Sequence, residues 1–299
     1  MPATSDRLRP LLILLPALFL LPWNAAVATD GVDRGLLWQV EHDGADQPSH
    51  VFGTIHSTDE RVHDLPAEVE AAFADARSYH FELDFSQMLE DGGLMRMFYL
   101  DGRRLPNKLD EGLWERTREA ARAAGVPEQN LTLMKPWAVA IMVSVPQEDP
   151  TQVLDYQLYE RASAKGRPVA GLETVDEQIG IFDDLALETQ IEMLERALEY
   201  FEDGRVDLVF ERMIELYLDR DLAGLANMAE ENPALPGPDD QEALMRRLVD
   251  ERNRILVTRM ESALQEGGAF VAVGALHLPG ENGIVRLLEA RGYTVTSVY

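Results

Sequence analysis

The chain has no cysteine among its 299 residues. Disulfides, thiolate catalysis and lipid attachment through a cysteine are therefore excluded, and the fold must rest on its own core. Basic residues are scarce: 27 Lys and Arg stand against 53 Asp and Glu, a formal charge of −26. Such a surface repels nucleic acid and anionic head groups, so neither is expected as a partner, and the excess acid serves solubility. Long apolar runs are also missing. The one candidate, Leu11 to Leu21, is broken by Pro16 and falls well short of the roughly 20 residues of a spanning helix. It follows Arg7 and Arg9 and precedes Ala26-Val27-Ala28. That is the pattern of a secretory signal peptide over residues 1–28, cut after Ala28. The expected product, residues 29–299, is periplasmic or secreted, without stable membrane insertion, and long enough for one large domain. Three catalytic signatures are absent as well. No His-Glu-x-x-His occurs, so there is no zincin helix, and no Gly-x-Ser-x-Gly elbow or phosphate-binding Gly-rich loop is found.

What is present alternates between strand-like and helix-like stretches. Trp38–Val40 and His50–Gly53 read as a hairpin around Asp43-Gly44-Ala45-Asp46. Leu65–Ala76 reads as a helix, Tyr79–Phe85 as a strand, and Val169–Leu172 as a short buried strand. Residues from Glu173 to about Met228 have a helical pattern, Glu231–Asp240 is a Pro-rich acidic loop, and Gln241–Gln265 is a long helix. The strand Phe270–Leu276, the helix Gly283–Ala290 and the strand Tyr293–Val298 complete the chain. This is an α/β pattern in one domain, with a largely helical insertion at about 174–265.

Two segments look like copies of one device. Val51-Phe52-Gly53-Thr54-Ile55-His56 and Val271-Ala272-Val273-Gly274-Ala275-Leu276-His277 are β-rich runs that end in Gly-x-x-His. Each leads through a turn and an amphipathic stretch into another strand, so each reads as a βαβ unit. Packed together, the pair would bring two imidazoles to one sheet edge, where open α/β sheets bind ligands. Glycine at that point permits a tight turn or a close backbone approach.

Five further positions break their local pattern. Glu82 lies on the polar face of the strand that closes the first unit, with His80 and Asp84 as weaker candidates beside it. A carboxylate on a covered face needs a partner, such as a metal or a histidine. Arg252 and Asn253 interrupt apolar stripes at i+4 spacing, formed by Leu244, Leu248, Leu256 and Met260 and by Met245 and Val249. They mark a site, such as a charge clamp or a ligand, or else a helix kink or a snorkelling arginine. Glu173 is either a site carboxylate or a helix-start residue favoured by the dipole. Lys135 is an isolated charge in an apolar stretch.

Together these residues resemble the TraB/GumN family, whose relatives include the Tiki proteins. The likeness rests on Phe52-Gly53-Thr54-Ile55-His56, Phe81-Glu82-Leu83-Asp84, Lys135-Pro136-Trp137-Ala138, Gly171-Leu172-Glu173-Thr174, Glu251-Arg252-Asn253 and Val271 to Gly280. It implies an erythromycin-esterase/ChaN-like core. It also implies a metal-dependent hydrolase site centred on His56, Glu82 and His277, with Arg252 and Asn253 nearby, and manganese or cobalt as the metal by analogy with Tiki proteins. The donor chemistry agrees: two neutral imidazoles and one carboxylate make an open site for manganese, cobalt or zinc. Glu173 is the candidate to move the proton. The expected function is an exported peptidase or amidohydrolase acting on a peptide or small molecule. The alternatives are a non-enzymatic ligand- or peptide-binding protein using the same cleft, or haem or iron binding.

Overall fold

The computed structural model describes residues 32–86, 93–147, 149–228 and 238–299. The expected signal peptide and residues 231–237 of the expected acidic loop lie outside the described residues. Six strands form one mixed sheet: β1 (Leu37–Glu41), β2 (Ser49–Thr54), β3 (Ser78–Leu83), β4 (Val169–Glu173), β5 (Ala269–Gly274) and β6 (Thr294–Ser297). Their spatial order is β4-β3-β5-β2-β1-β6. The run from β4 to β2 is parallel, and β1 is antiparallel to both β2 and β6. The protein is thus α/β, as its alternating pattern predicts.

The sheet reflects its sequence. β5 reads Ala-Phe-Val-Ala-Val-Gly and is buried along its whole length, as a central parallel strand should be. β4 differs from the expected buried strand: it lies at an edge, and only its last two residues are buried. The β1–β2 hairpin forms with Leu37 opposite Phe52 and Val40 opposite Ser49. β2 and β5, which precede the two histidine loops, are direct neighbours with Thr54 opposite Gly274. The loops therefore leave the sheet at one end, the carboxyl end of the parallel strands.

Helices cover the sheet and build a second core. They are α1 (Ala67–Asp75), α2 (Glu111–Ala123), α3 (Pro136–Val143), α4 (Leu154–Ser163), α5 (Val175–Asp183), α6 (Leu187–Glu202), α7 (Val206–Leu218), α8 (Leu222–Asn227), α9 (Pro238–Met245), α10 (Arg252–Glu266) and α11 (Ile284–Ala290). One buried cluster surrounds the sheet, where Phe73 meets Phe270 edge-on at 5.2 Å. The other joins α2, α3, α5, α6 and α9 around Trp137 and Phe182, whose rings stack at 5.8 Å. Among the described residues no helix is long and apolar enough to cross a membrane.

The expected long helix starts three residues early, at Pro238, and is not uniform. Between α9 and α10, Arg246–Glu251 forms a π-helical segment. Its wider turn shifts the phase of every residue that follows, and such segments are often found at functional sites. Asp250, which α-helical phase assigns to the wet face, is buried as a result.

Candidate active site at the carboxyl ends of the parallel strands

Glu82 lies one residue before the end of β3, and Glu173 is the last residue of β4. Glu173 is not a helix-start residue. Thr174 caps α5 and forms a capping box with Glu177, so Glu173 remains in the strand. The two carboxylates end adjacent strands, and α10 lays Arg252 between them. The Arg252 guanidinium donates through Nη2 to Glu82 Oε2 at 2.6 Å and to Glu173 Oε2 at 2.7 Å. Its Nε donates to both Glu173 oxygens at 3.0 Å, and its Nη1 donates to the Leu248 carbonyl. Arg252 is only 5% exposed, so it does not snorkel. The partner of Glu82 on the covered face is thus an arginine. Gln178 adds a 3.0 Å hydrogen bond to Glu173, and the Gly274 N–H donates to Glu82 Oε1 at 2.6 Å.

The glycines of the two Gly-x-x-His runs act by close approach. A Cβ on Gly274 would sit 3.3 Å from Glu82 Oε1, within reach of the same oxygen that its N–H binds. A Cβ on Gly53 would sit 2.7 Å from Leu278 Cδ1 and 3.0 Å from Ala275 Cα. The bare Gly53 backbone lets the second histidine loop pack onto β2.

Each imidazole is held through Nδ1. His277 ends a 3₁₀ turn directly after β5, and its Nδ1 lies 2.6 Å from Asn253 Oδ1. The Asn253 Nδ2 donates to the Asn282 carbonyl at 2.8 Å, which fixes the amide orientation. Asn253 Oδ1 must then accept, so His277 carries its proton on Nδ1. The His277 Nε2 lies 3.8 Å from Glu82 Oε1. His56 Nδ1 pairs with Asp155 Oδ2 at 2.6 Å, and Thr54 Oγ1 holds the other Asp155 oxygen.

The charges follow from these contacts. Burial pushes the Glu82 carboxyl up, and the Glu173 charge adds to this against the pull of Arg252. Burial opposes the Arg252 cation, but the Glu173 and Glu82 charges outweigh it and raise its pKa. Burial, with Arg252 and His56 nearby, drives His277 well below its usual value, so it stays neutral. Burial also opposes the charged form of His56, yet Asp155, helped by Glu82, raises its pKa. Two carboxyl groups share one guanidinium, and with both ionised one negative charge would be uncompensated, which would favour a further cation.

The remaining candidates have other partners. His80 is half-buried and contacts Ser78 Oγ at 3.1 Å, while Asp84 accepts from Tyr159 and Ser86. Lys135 pairs with Asp183 at 2.5 Å, where Trp137 and Arg96 also donate. Asp155 carries no local signal of its role, because in sequence it is an ordinary first-turn acid of a helix. Asp250 and Asn282 were hidden by the phase shift of the π segment and by the loop.

Among the described residues no group of three or more His, Asp or Glu side chains is gathered closely enough to hold a metal ion. The donor chemistry still fits one. A neutral imidazole nitrogen and a carboxyl oxygen lie 3.8 Å apart, and each imidazole has its Nδ1 held by a side chain, as in metal-ligating histidines.

Known proteins give a consistent picture. The zebrafish (Danio rerio) protein named metalloprotease TIKI2 is 25% identical over 313 residues, covering 88% of this chain and 60% of its own length. The human metalloprotease TIKI1 is 26% identical, with 88% of this chain and 61% of its own length covered. The chain therefore spans about 60% of the length of these relatives. The Shigella flexneri protein YbaP, described as uncharacterized, is 22% identical over 81% of this chain and 88% of its own. No solved structure matches. The TraB/PrgY/gumN family model matches residues 36–297, from the start of the β1 hairpin to the end of β6, and the chain belongs to that family.

Proposed function

We propose that the protein is a metal-dependent hydrolase of peptide or amide bonds, exported by residues 1–28, with His56, Glu82 and His277 holding one divalent cation. The observation that carries this reading is the approach of His277 Nε2 to within 3.8 Å of Glu82 Oε1, in a buried cluster where two carboxyl groups share one guanidinium. The relatives named metalloprotease TIKI support the protease class. A divalent cation in such a site lowers the pKa of bound water and polarises a carbonyl. The protein's own residues supply the frame. Arg252 fixes the two carboxylates, Asn253 sets the His277 tautomer, and Asp155 orients His56. Glu173 balances Arg252, and its oxygens are taken up by Arg252 and Gln178. That leaves it poorly placed to accept a proton.

The test is calorimetric titration of the chelator-treated mature protein with Mn²⁺, Co²⁺ and Zn²⁺, together with peptide-library cleavage with and without chelator. One bound metal per chain is expected, lost in His277→Ala and Glu82→Ala, with cleavage that chelator abolishes. Cleavage that is indifferent to chelator, or no metal binding between pH 6 and 8, would overturn the reading. Edman sequencing of the exported protein should begin at Thr29. The hydrogen bonds that Glu82 already accepts from Arg252, Gln178 and the Gly274 N–H favour a second reading, in which the same cleft binds a ligand without turnover. Metal or ligand binding without cleavage of any library member would select it.

A further inference from the structure

Asn282, in the loop that follows His277, is tied to the helical segment that carries Arg252. The Asn282 Nδ2 donates to Asp250 Oδ2 at 3.2 Å, and its Oδ1 accepts from Arg254 Nη2 at 3.0 Å. Its backbone carbonyl accepts from Asn253 Nδ2 at 2.8 Å. Three residues of one helical turn, Asp250, Asn253 and Arg254, thus grip one loop residue at three points. Asp250 is only 6% exposed and enters this arrangement because the π segment turns it inward.

The grip has a chemical consequence. An asparagine side chain can present either its oxygen or its nitrogen to a neighbour. If Asn253 turned its nitrogen toward His277, the ring would have to accept at Nδ1, and the proton would move to Nε2. The lone pair on Nε2 would then be lost. The Asn282 carbonyl opposes this by accepting from Asn253 Nδ2, and its position depends on how Asp250 and Arg254 hold the Asn282 side chain. We infer that Asn282, held by Asp250 and Arg254, is a positioning residue that acts through Asn253 to lock His277 in the Nδ1–H tautomer. This rests on the proposed reading of His277 as a site histidine, but the tautomer can be measured without metal or substrate.

The test is ¹⁵N NMR of the histidine rings in the metal-free mature protein, with His277 assigned by the signals missing in His277→Gln. The wild type should show a single Nδ1–H tautomer for His277. Asn282→Ala, with unchanged circular dichroism, should show a mixture. The tautomer ratio should fall roughly tenfold, the factor that corresponds to losing one hydrogen bond of about 1.4 kcal/mol. Asp250→Ala should shift it the same way, and serves if Asn282→Ala does not fold. Asp250→Asn retains an acceptor for the Asn282 amide and should restore the single tautomer. If the metal reading holds, Asn282→Ala should also weaken Mn²⁺ binding about 10–100-fold. A single Nδ1–H tautomer in folded Asn282→Ala or Asp250→Ala overturns the inference. A wild type with the single tautomer but no metal binding would refute the proposed function and leave the positioning role intact.

Discussion

Replacing Arg252 with methionine is the sharpest test of the buried cluster. Methionine has a similar length and fits an apolar stripe, so the change removes charge and hydrogen bonds more than volume. Five donor contacts disappear, four of them to Glu82 and Glu173. Removing one partner of a buried ion pair costs about 3–5 kcal/mol, because the other is left uncompensated. For a chain of this size that lowers Tm by roughly 6–20 °C. The sign with pH follows from Glu82, whose carboxyl is already pushed above the ordinary carboxylate range by burial and rises further without Arg252. A raised carboxyl contributes no penalty below its unfolded pKa and a growing one as pH rises through its folded value. The loss should therefore be largest at pH 8 and shrink toward pH 4. Differential scanning calorimetry across that range measures it. Adding Glu173→Gln to Arg252→Met should recover part of the loss, since one orphaned charge is gone. A Tm within 2 °C of wild type at both pH values, a bound chosen as well under the roughly 6 °C minimum, would refute the buried cluster.

Three other changes test separate parts of the structure. Gly53→Ala places a methyl 2.7 Å from Leu278 Cδ1 and should cost about 1–3 kcal/mol of overpacking, read by thermal unfolding. The buried Asp250 carboxyl is pushed up to about 6, chiefly by burial. Its stabilising contribution is full below its unfolded value and lost as pH rises through 6, so Asp250→Asn should gain stability on the order of 1–3 kcal/mol at pH 8 and little at pH 4, by urea unfolding. Arg259 and the α5 cap hold Glu177 down to about 2, with the Arg259 hydrogen bond the largest cause. That contribution is present above pH 4.5 and fades as pH falls toward 2. Glu177→Gln should flatten this acid limb while changing neutral stability by less than about 1 kcal/mol, because the pair with Arg259 is exposed.

Much of the fold was legible because its strands are chemically distinct. Val51–Thr54 and Phe270–Gly274 are apolar β-rich runs bounded by turns, and both became strands of the parallel core. Arg252 was legible as an anomaly because it fills a position that helical phase reserves for leucine. Its partners were not, since Glu82 and Glu173 are 170 and 79 residues away in sequence. Nor was strand order: nothing local says that β5 inserts between β2 and β3. The burial of Asp250 was not legible, because a uniform 3.6-residue period cannot anticipate a π segment. Asp155 was hidden because an acid in the first turn of a helix is favoured for reasons unrelated to any site.

The two histidine loops look alike in sequence but end in unlike electrostatic settings. His56 is backed by a carboxylate, and Asp155 raises its pKa despite burial. His277 is backed by a neutral amide, with Arg252 and His56 nearby, and is held well below its usual value. A carboxylate behind an imidazole increases its basicity, whereas an amide fixes direction without adding charge. The pair is therefore chemically asymmetric, with one basic nitrogen and one neutral one near the same glutamate. In the proposed metal site both imidazoles would bind as neutral bases, so His277, already held neutral, would take a cation without releasing a proton, whereas His56 would give up any proton that its raised pKa retains. That difference comes from Asp155 and Asn253, two residues outside the Gly-x-x-His pattern.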